Sequence, residues 1–318
     1  MEESKHSIIS KLFIDSVDNG TPIKVCAPMV RYSSLPFRHL VKLYRCDLTF
    51  THMMLSDCFS KAQSARDADF QHCETDRPLI AQFAASDPEY FAAAARLISP
   101  FVDGVDLNCG CPQRWAIKEG IGACMCTNPK LISKIVSRCR QVNPELPVSV
   151  KIRILDSIED TVALAQAIED AGAAFISVHG RTIKERNVTP HFDYVKAIKN
   201  NVNIPVIHNG GVYSPDDIEP ALLKTGADGV MCAQGLLNNP ALFAGYNETP
   251  LQCVQDWVNI AISYGTTFVT FKHHLVFMLE NVLPKHEKKI FNNLSTIAAV
   301  LDYLDNNFDI RYQNKLPT

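Results

Sequence analysis

Eight short, continuously apolar runs recur along the chain at intervals of a few tens of residues: KVCAPMV, CDLTFTHM, PLIAQFA, VDGVDLN, PVSVKIR, AAFISVHG, IPVIHNG and ADGVMCAQG. A strand that alternates apolar and polar residues has one wet face, whereas a strand apolar throughout is buried on both, as parallel strands covered by helices are. Helix-like segments separate most of the runs. PEYFAAAARLI, PKLISKIVSRCRQV, IEDTVALAQAIEDAG and PDDIEPALLKTG repeat apolar residues every three to four positions. Asp87, Asn128 and Ser214 each precede a proline as capping residues, and Gly172 and Gly226 stand where helices end in left-handed backbone. The pattern predicts an α/β chain folded as a (β/α)8 TIM barrel over residues 22–249. A doubly wound sheet is the rival, and MVRYSSLPFR after the first run is not the GxGxxG turn expected there.

Near Pro250 the rhythm stops. PLQCVQDWVNIAISYG, FVTFKHHLVFMLENV and KKIFNNLSTIAAVLDYLDNN read as helices, so residues 250–318 form a C-terminal all-helical domain, and residues 1–21 an N-terminal extension. The helical part balances its charges but clusters Lys272, His273, His274, Lys285, His286, Lys288 and Lys289. A cluster of this kind is most often a solvated helix face.

Composition excludes several classes. A net charge of -3 is not that of a globally basic nucleic-acid binder, so any RNA partner needs a local patch. Apolar stretches fall short of the roughly 18 to 20 residues of a membrane helix, and MEESKHSIISKLFIDS lacks the apolar core of a secretory signal. The expected setting is the cytoplasm, with the nucleus as alternative, and the expected state a monomer without membrane partners. The 11 cysteines are spread out, unlike a secreted disulfide scaffold. Cys109-x-Cys111 and Cys124-x-Cys126 are spaced too closely for the usual zinc pairs, so no metal is expected.

In such a barrel the active site lies at the C-terminal strand ends. The polar residues there are Gln82, Asn108, Cys111, Lys151, Arg153, His179, Arg181 and Asn209, with Pro28 and Met29 after the first strand, Gly210 and Gly211 after the seventh, and Ala233 and Gln234 after the eighth. Glycine-bearing loops after the last two strands suit a phosphate, because backbone N–H groups can approach it closely; taken alone, NGG is equally a tight turn. Lysine inside a core strand is costly unless it meets an anion or a polar ligand, which sets Lys151 apart. His179 alone reads as an interior histidine, and Arg153 and Arg181 as surface ion-pair partners; their shared position at strand ends points them at the barrel mouth.

CAPMV, AQFA, DLNCGCPQ, VKIR, VHGRT, HNGGV and DGVMCAQGLLNNP, in this order and spacing, resemble the motif series of the tRNA-dihydrouridine synthases over residues 22–250 and into the helical tail. CAPMVRYS, DLNCGCPQRWA and LLNNPALFAGYNETPL are most like the fourth eukaryotic class. The resemblance implies an FMN enzyme that reduces the C5=C6 bond of a D-loop uridine, at positions 20a and 20b, with NADPH or NADH as reductant and tRNA as partner. It implies that Pro28, Met29 and Val30 lie against the flavin ring and that Gln82 and Lys151 bond its polar edge. His179, Asn209, Gly210, Gly211, Ala233 and Gln234 would hold the phosphate end, Asn108 would orient substrate or flavin, and Arg153 and Arg181 would face substrate. Cys111 matches the proton donor. Gln234 departs from the family's usual arginine and removes a charge-assisted contact.

The implied chemistry delivers hydride to C6 and requires a proton at C5. A free thiol, with an ordinary pKa near 8.5, is mostly protonated at neutral pH and can donate. Residues 113–126, with Gly120 and Gly122 as flexible points, are expected to act as a lid. With tRNA as partner, Lys285, Lys288 and Lys289 become candidate phosphate contacts. A barrel reductase of a small molecule, similar to dihydroorotate dehydrogenase, and a non-catalytic tRNA-binding relative are the alternatives.

Overall fold

The computed structural model describes residues 5–316. Its strands are β1 (Ile23–Cys26), β2 (Leu48–Phe50), β3 (Met54–Leu55), β4 (Leu79–Ala84), β5 (Gly104–Cys109), β6 (Val148–Arg153), β7 (Phe175–His179), β8 (Val206–Asn209) and β9 (Gly229–Cys232). They pair in parallel in the order β2-β1-β9-β8-β7-β6-β5-β4-β3, and β2 also pairs with β4, which closes the sheet into a barrel. The β3 segment continues the stave begun by β2. Between them the ladder breaks at Thr51, whose Oγ1 accepts the backbone N–H of Gln82 at 3.0 Å. Nine segments thus make the expected eight staves.

Parallel register sets the height of each interior side chain. Gln82 lies opposite Asp106, Asn108 opposite Lys151, Arg153 opposite His179, and His179 opposite Asn209. Below this polar tier the barrel is filled by Val25, Phe50, Ile80, Phe175, Ile207 and Met231. Helix Lys5–Asp18 closes the bottom, inserting Ile9 and Phe13 into the same cluster. The N-terminal extension is therefore the plug of the barrel, which excludes water from a core open at that end.

The outer helices follow the sequence pattern. Asp87 Oδ1 accepts from the N–H groups of Glu89 and Tyr90, Asn128 caps Leu131, and Gly226 ends its helix at φ 65°. Beyond the barrel lie helices Leu251–Ser263, Phe268–Met278, Lys285–Asn293 and Ile297–Phe308. The last two replace the single helix read from KKIFNNLSTIAAVLDYLDNN, because Thr296 Oγ1 caps Ala299 N at 3.1 Å and starts a new helix.

These helices share a core with helix Leu35–Leu43, which follows β1: Trp257, Phe271 and Leu275 pack with Phe37, Leu40 and Val41. His274 sits at this joint, 4.5 Å from the rings of both Phe37 and Trp257. Burial pushes its pKa down to about 3, so it packs as a neutral ring. No helix among the described residues is long and apolar enough to cross a membrane.

Candidate active site

Two adjoining cavities open at the C-terminal ends of the strands. One, of about 230 Å3, is lined by residues that include Pro28, Val30, Gln82, Asn108, Cys111, Lys151 and Arg153. The other, of about 190 Å3, is lined by Arg181, Gly210, Gly211, Tyr213 and Gln234 among others. His179, Asn209 and Ala233 belong to both, so the two form one groove across the barrel mouth. A larger recess of about 700 Å3 lies elsewhere, between His39, Lys42, Cys73 and Tyr264, and contains none of the polar strand ends.

Lys151 is the buried cation of the groove. Its Nζ donates to Asn209 Oδ1 at 3.0 Å, and Asn209 Nδ2 donates to the carbonyl of Met231 at 2.9 Å, tying β6 to β9 across the mouth. An ammonium has three N–H groups, and among the described residues Asn209 is the sole hydrogen-bond acceptor of this one. Burial, reinforced by Arg153, pushes its pKa down to about 8, with Asp106 acting in the opposite direction. A cation with spare donors facing a cavity fits a ligand rich in acceptors.

His179 is held neutral. Burial and the charges of Lys151, Arg153 and Arg181 push its pKa down to about 2. Arg181 Nη1 lies 3.1 Å from His179 Nε2, and since a guanidinium only donates, Nε2 accepts and Nδ1 carries the proton. Arg181 also donates from Nε to the carbonyl of Val188 at 2.6 Å. Gly210 and Gly211 adopt φ of 113° and 76°, where an L side chain would be strained. His208 Nε2 donates to the carbonyl of Gly210 at 2.7 Å and fixes this turn. After β9 the helix Gln234–Asn238 has only five residues, with Gly235, Leu236 and Leu237 buried, and Gln234 at its start lines the cavity. Gln234 Nε2 bonds Asn238 Oδ1 along that short helix.

The loop carrying Cys111 is fastened from several sides. Asn108 Oδ1 accepts from the N–H groups of Gly110 at 3.2 Å and Cys111 at 3.0 Å. Arg153 Nε donates to the carbonyl of Gly110 at 2.9 Å, and its Nη1 to that of Thr182 at 3.0 Å. The Cys111 carbonyl accepts from Ala123 N at 2.9 Å. Residues 113–126 pack rather than hang free: Ala116 and Ile121 are buried against Ala84, and Gly122 adopts φ 75° with no room for a Cβ, which would stand 2.6 Å from the Cys111 carbonyl oxygen. Gly122 is thus a close-approach glycine, while Gly120 at φ 72° has open space around it.

The two cysteines of the motif differ in their surroundings. Cys109 is wholly buried and its thiol is pushed well above the usual range by burial. Cys111 is half-buried and lines the cavity. All 11 cysteines are free thiols. Among the described residues no group of three or more His, Cys, Asp or Glu is arranged to hold a metal ion.

Pro28 and Val30 border the cavity, while Met29 between them packs toward the C-terminal helical cluster. Ser33 Oγ holds this loop by donating to the Ala27 carbonyl and accepting from Met29 N, both at 2.8 Å. Lys285 and Lys289 are exposed on their helix, away from the cavity, and Lys288 pairs with Glu280 at 2.8 Å. Asp106, with no role in the sequence reading, lies under the site and accepts from Gln82 Nε2 at 2.8 Å and Ser149 Oγ at 2.7 Å. Its signal was present: a carboxylate within the apolar run VDGVDLN.

A closed parallel barrel with polar strand ends converging on a cavity defines a (β/α)8 enzyme. The structure of the old yellow enzyme from Trypanosoma cruzi has the same fold, with a TM-score of 0.51 at 10% identity, over 69% of this chain and 86% of that one. The family model for dihydrouridine synthase (Dus) matches residues 25–315, and the chain belongs to that family of oxidoreductases. It is 48% identical to the human protein tRNA-dihydrouridine(20a/20b) synthase (NAD(P)+)-like, over 93% of this chain and 94% of that protein. It is 41% identical to the Schizosaccharomyces pombe tRNA-dihydrouridine(20a/20b) synthase (NAD(P)+), over 91% and 89% respectively. The family resemblance carried by the seven motifs is borne out.

Proposed function

We propose that the protein reduces the C5=C6 bond of uridines at positions 20a and 20b of tRNA, using bound FMN and NADPH or NADH. The observation that carries this reading is the meeting, in one cavity of a dihydrouridine synthase, of a half-buried thiol, Cys111, with a buried lysine, Lys151, that keeps unanswered N–H donors. FMN suits these residues. Lys151 and Gln82 would face the acceptors of its ring system, Pro28 and Val30 its apolar face, and the Gly210–Gly211 turn with His179, Asn209, Arg181, Ala233 and Gln234 its phosphate end. When bound, FMN supplies the hydride.

The chain's own part is to hold a proton and a geometry. Cys111 donates at C5 of the uracil, while Asn108 and Arg153 hold its backbone still. A base in folded RNA must leave its stack to enter such a cavity. The unit spanning 250–318 supplies tRNA contacts through Lys285 and Lys289, with Lys288 beside them. The 20a and 20b positions are those printed in the names of the human and fission-yeast relatives, and that likeness supports them here. Free thiols throughout the chain agree with action in the reducing cytoplasm or nucleus.

The test is reconstitution: the protein with FMN, NADPH and unmodified tRNA, followed by mass mapping of dihydrouridine. Dihydrouridine at 20a and 20b, lowered about tenfold or more in single turnover by Cys111→Ala, is expected. A flavoprotein that reduces a small enone or orotate but leaves tRNA unmodified overturns the reading in favour of a small-molecule reductase.

A further inference from the structure

Asp106 is fully buried, and both its oxygens are engaged: Oδ1 accepts from Ser149 Oγ at 2.7 Å and Oδ2 from Gln82 Nε2 at 2.8 Å. An ionised carboxylate only accepts, so Gln82 must turn its NH2 toward Asp106 and its carbonyl oxygen away. That oxygen accepts from Asn108 Nδ2 at 2.8 Å. Asn108 is then obliged to present Oδ1 to the loop, where it accepts the N–H groups of Gly110 and Cys111. One buried charge therefore sets the sense of two amides, and the second amide grips the backbone of the reactive thiol.

On the reading of Cys111 as proton donor, we propose that Asp106 is the positioning residue for that thiol, acting through Gln82 and Asn108. A neutral group in its place lacks this control. A protonated acid or an asparagine offers a donor as well as an acceptor, so the two amides can reverse together. Asn108 then turns its NH2 toward the N–H groups of Gly110 and Cys111, donor against donor, and the loop is released because those donors are left unpaired.

The ionisation that matters falls near working pH. Burial pushes the Asp106 carboxyl up to about 6, against the opposing effects of Ser149, Gln82 and Lys151. Lys151 of β6 is the titratable group that faces it; Cys109, three residues along the same strand, points to the opposite face among the outer helices and only feels the charge of Asp106. The chain of amides is in its working sense above that pH and loses it as pH falls through it.

The full-length, flavin-loaded protein is compared with Asp106→Asn and Ser149→Ala. Iodoacetamide labelling with mass mapping reads the Cys111 alkylation rate against Cys58 and Cys124 as internal references, without any need for tRNA. Asp106→Asn is expected to raise the relative Cys111 rate by about threefold or more, to slow single-turnover uridine reduction by about tenfold or more, and to abolish its acid limb near pH 6. Ser149→Ala keeps the carboxylate but removes a donor to it, so the limb should move to higher pH. An Asp106→Asn protein with unchanged labelling, rate and acid limb overturns the proposal. Should that variant fail to fold, an unmoved limb in Ser149→Ala overturns it equally. A wild-type protein that makes no dihydrouridine defeats the functional reading instead, and the labelling comparison then still decides whether Asp106 positions Cys111.

Discussion

Arg153 Nε lies 2.9 Å from the carbonyl oxygen of Gly110, the residue immediately before Cys111. The same guanidinium reaches the Thr182 carbonyl at 3.0 Å, so one side chain joins the loops after β5 and β7. Its position at the strand end was read as facing a substrate; its geometry gives it this structural task as well.

Replacing Arg153 by methionine should therefore loosen the cysteine loop. Hydrogen bonds from a charged donor contribute about 1.5–3 kcal/mol each, which predicts a fall of roughly 10- to 100-fold in single-turnover uridine reduction. Lysine should not rescue the activity, because one ammonium cannot span both carbonyls as the fork does. Rapid-quench measurement of dihydrouridine formation checks both expectations, and recovery by Arg153→Lys would count against the two-loop role.

Lys151 makes the flavin-free protein sensitive to alkaline pH in a definite direction. Its folded pKa is lowered to about 8 by burial, against about 10.4 in an unfolded chain. Between these values the unfolded chain holds a proton that the folded one has lost, so stability should rise with pH across this window, by up to about 1.4 kcal/mol per unit. Lys151→Met should abolish that rise and bind FMN more weakly. Urea unfolding of the flavin-free proteins between about pH 7.5 and 10 measures it; parallel curves for the two proteins would contradict the assignment.

The barrel and its mouth were legible because parallel register is regular. Once VDGVDLN, PVSVKIR, AAFISVHG and IPVIHNG are taken as neighbouring strands, Asn108, Lys151, His179 and Asn209 must stand at similar heights and face one another. What escaped the reading depends on contacts distant in sequence. Nothing in KHSIISKLFIDSVD says which surface Ile9 and Phe13 cover. Gly122 read as flexible because a glycine needed for close approach looks the same in sequence as one needed for motion, whereas Gly120, at φ 72°, has open space around it. Attention to polar residues at strand ends passed over Asp106 one step inside, where burial makes a charge more informative.

The N-terminal plug predicts a stability effect far from the chemistry. Phe13 packs 5.4 Å from the ring of Phe175 in the barrel interior. Phe13→Ala should cost about 3 kcal/mol, at the lower end for a buried phenylalanine because a terminal helix can partly settle into the gap. Equilibrium denaturation should show the loss, while the folded fraction keeps its flavin spectrum. A change below about 0.5 kcal/mol, the level of ordinary surface substitutions, would mean that the helix does not seal the barrel.

Lys285 and Lys289 should carry most of the tail's attraction for tRNA, because both are exposed whereas Lys288 is already paired with Glu280 at 2.8 Å. Each phosphate contact adds about 0.7 to 0.9 to the slope of log affinity against log salt. Charge reversal at all three lysines should reduce that slope by about 1.4 to 1.8, the value for two contacts. Lys288→Glu alone should change it little. Helix Lys285–Asn293 packs on helix Phe268–Met278, which in turn packs on the segment after β9, so an intervening helix separates these lysines from the flavin cavity. The flavin spectrum of the triple variant should accordingly match the wild type. Filter binding of tRNA across a salt series measures the slope, and a slope unchanged by the triple substitution would remove this helix from the RNA interface.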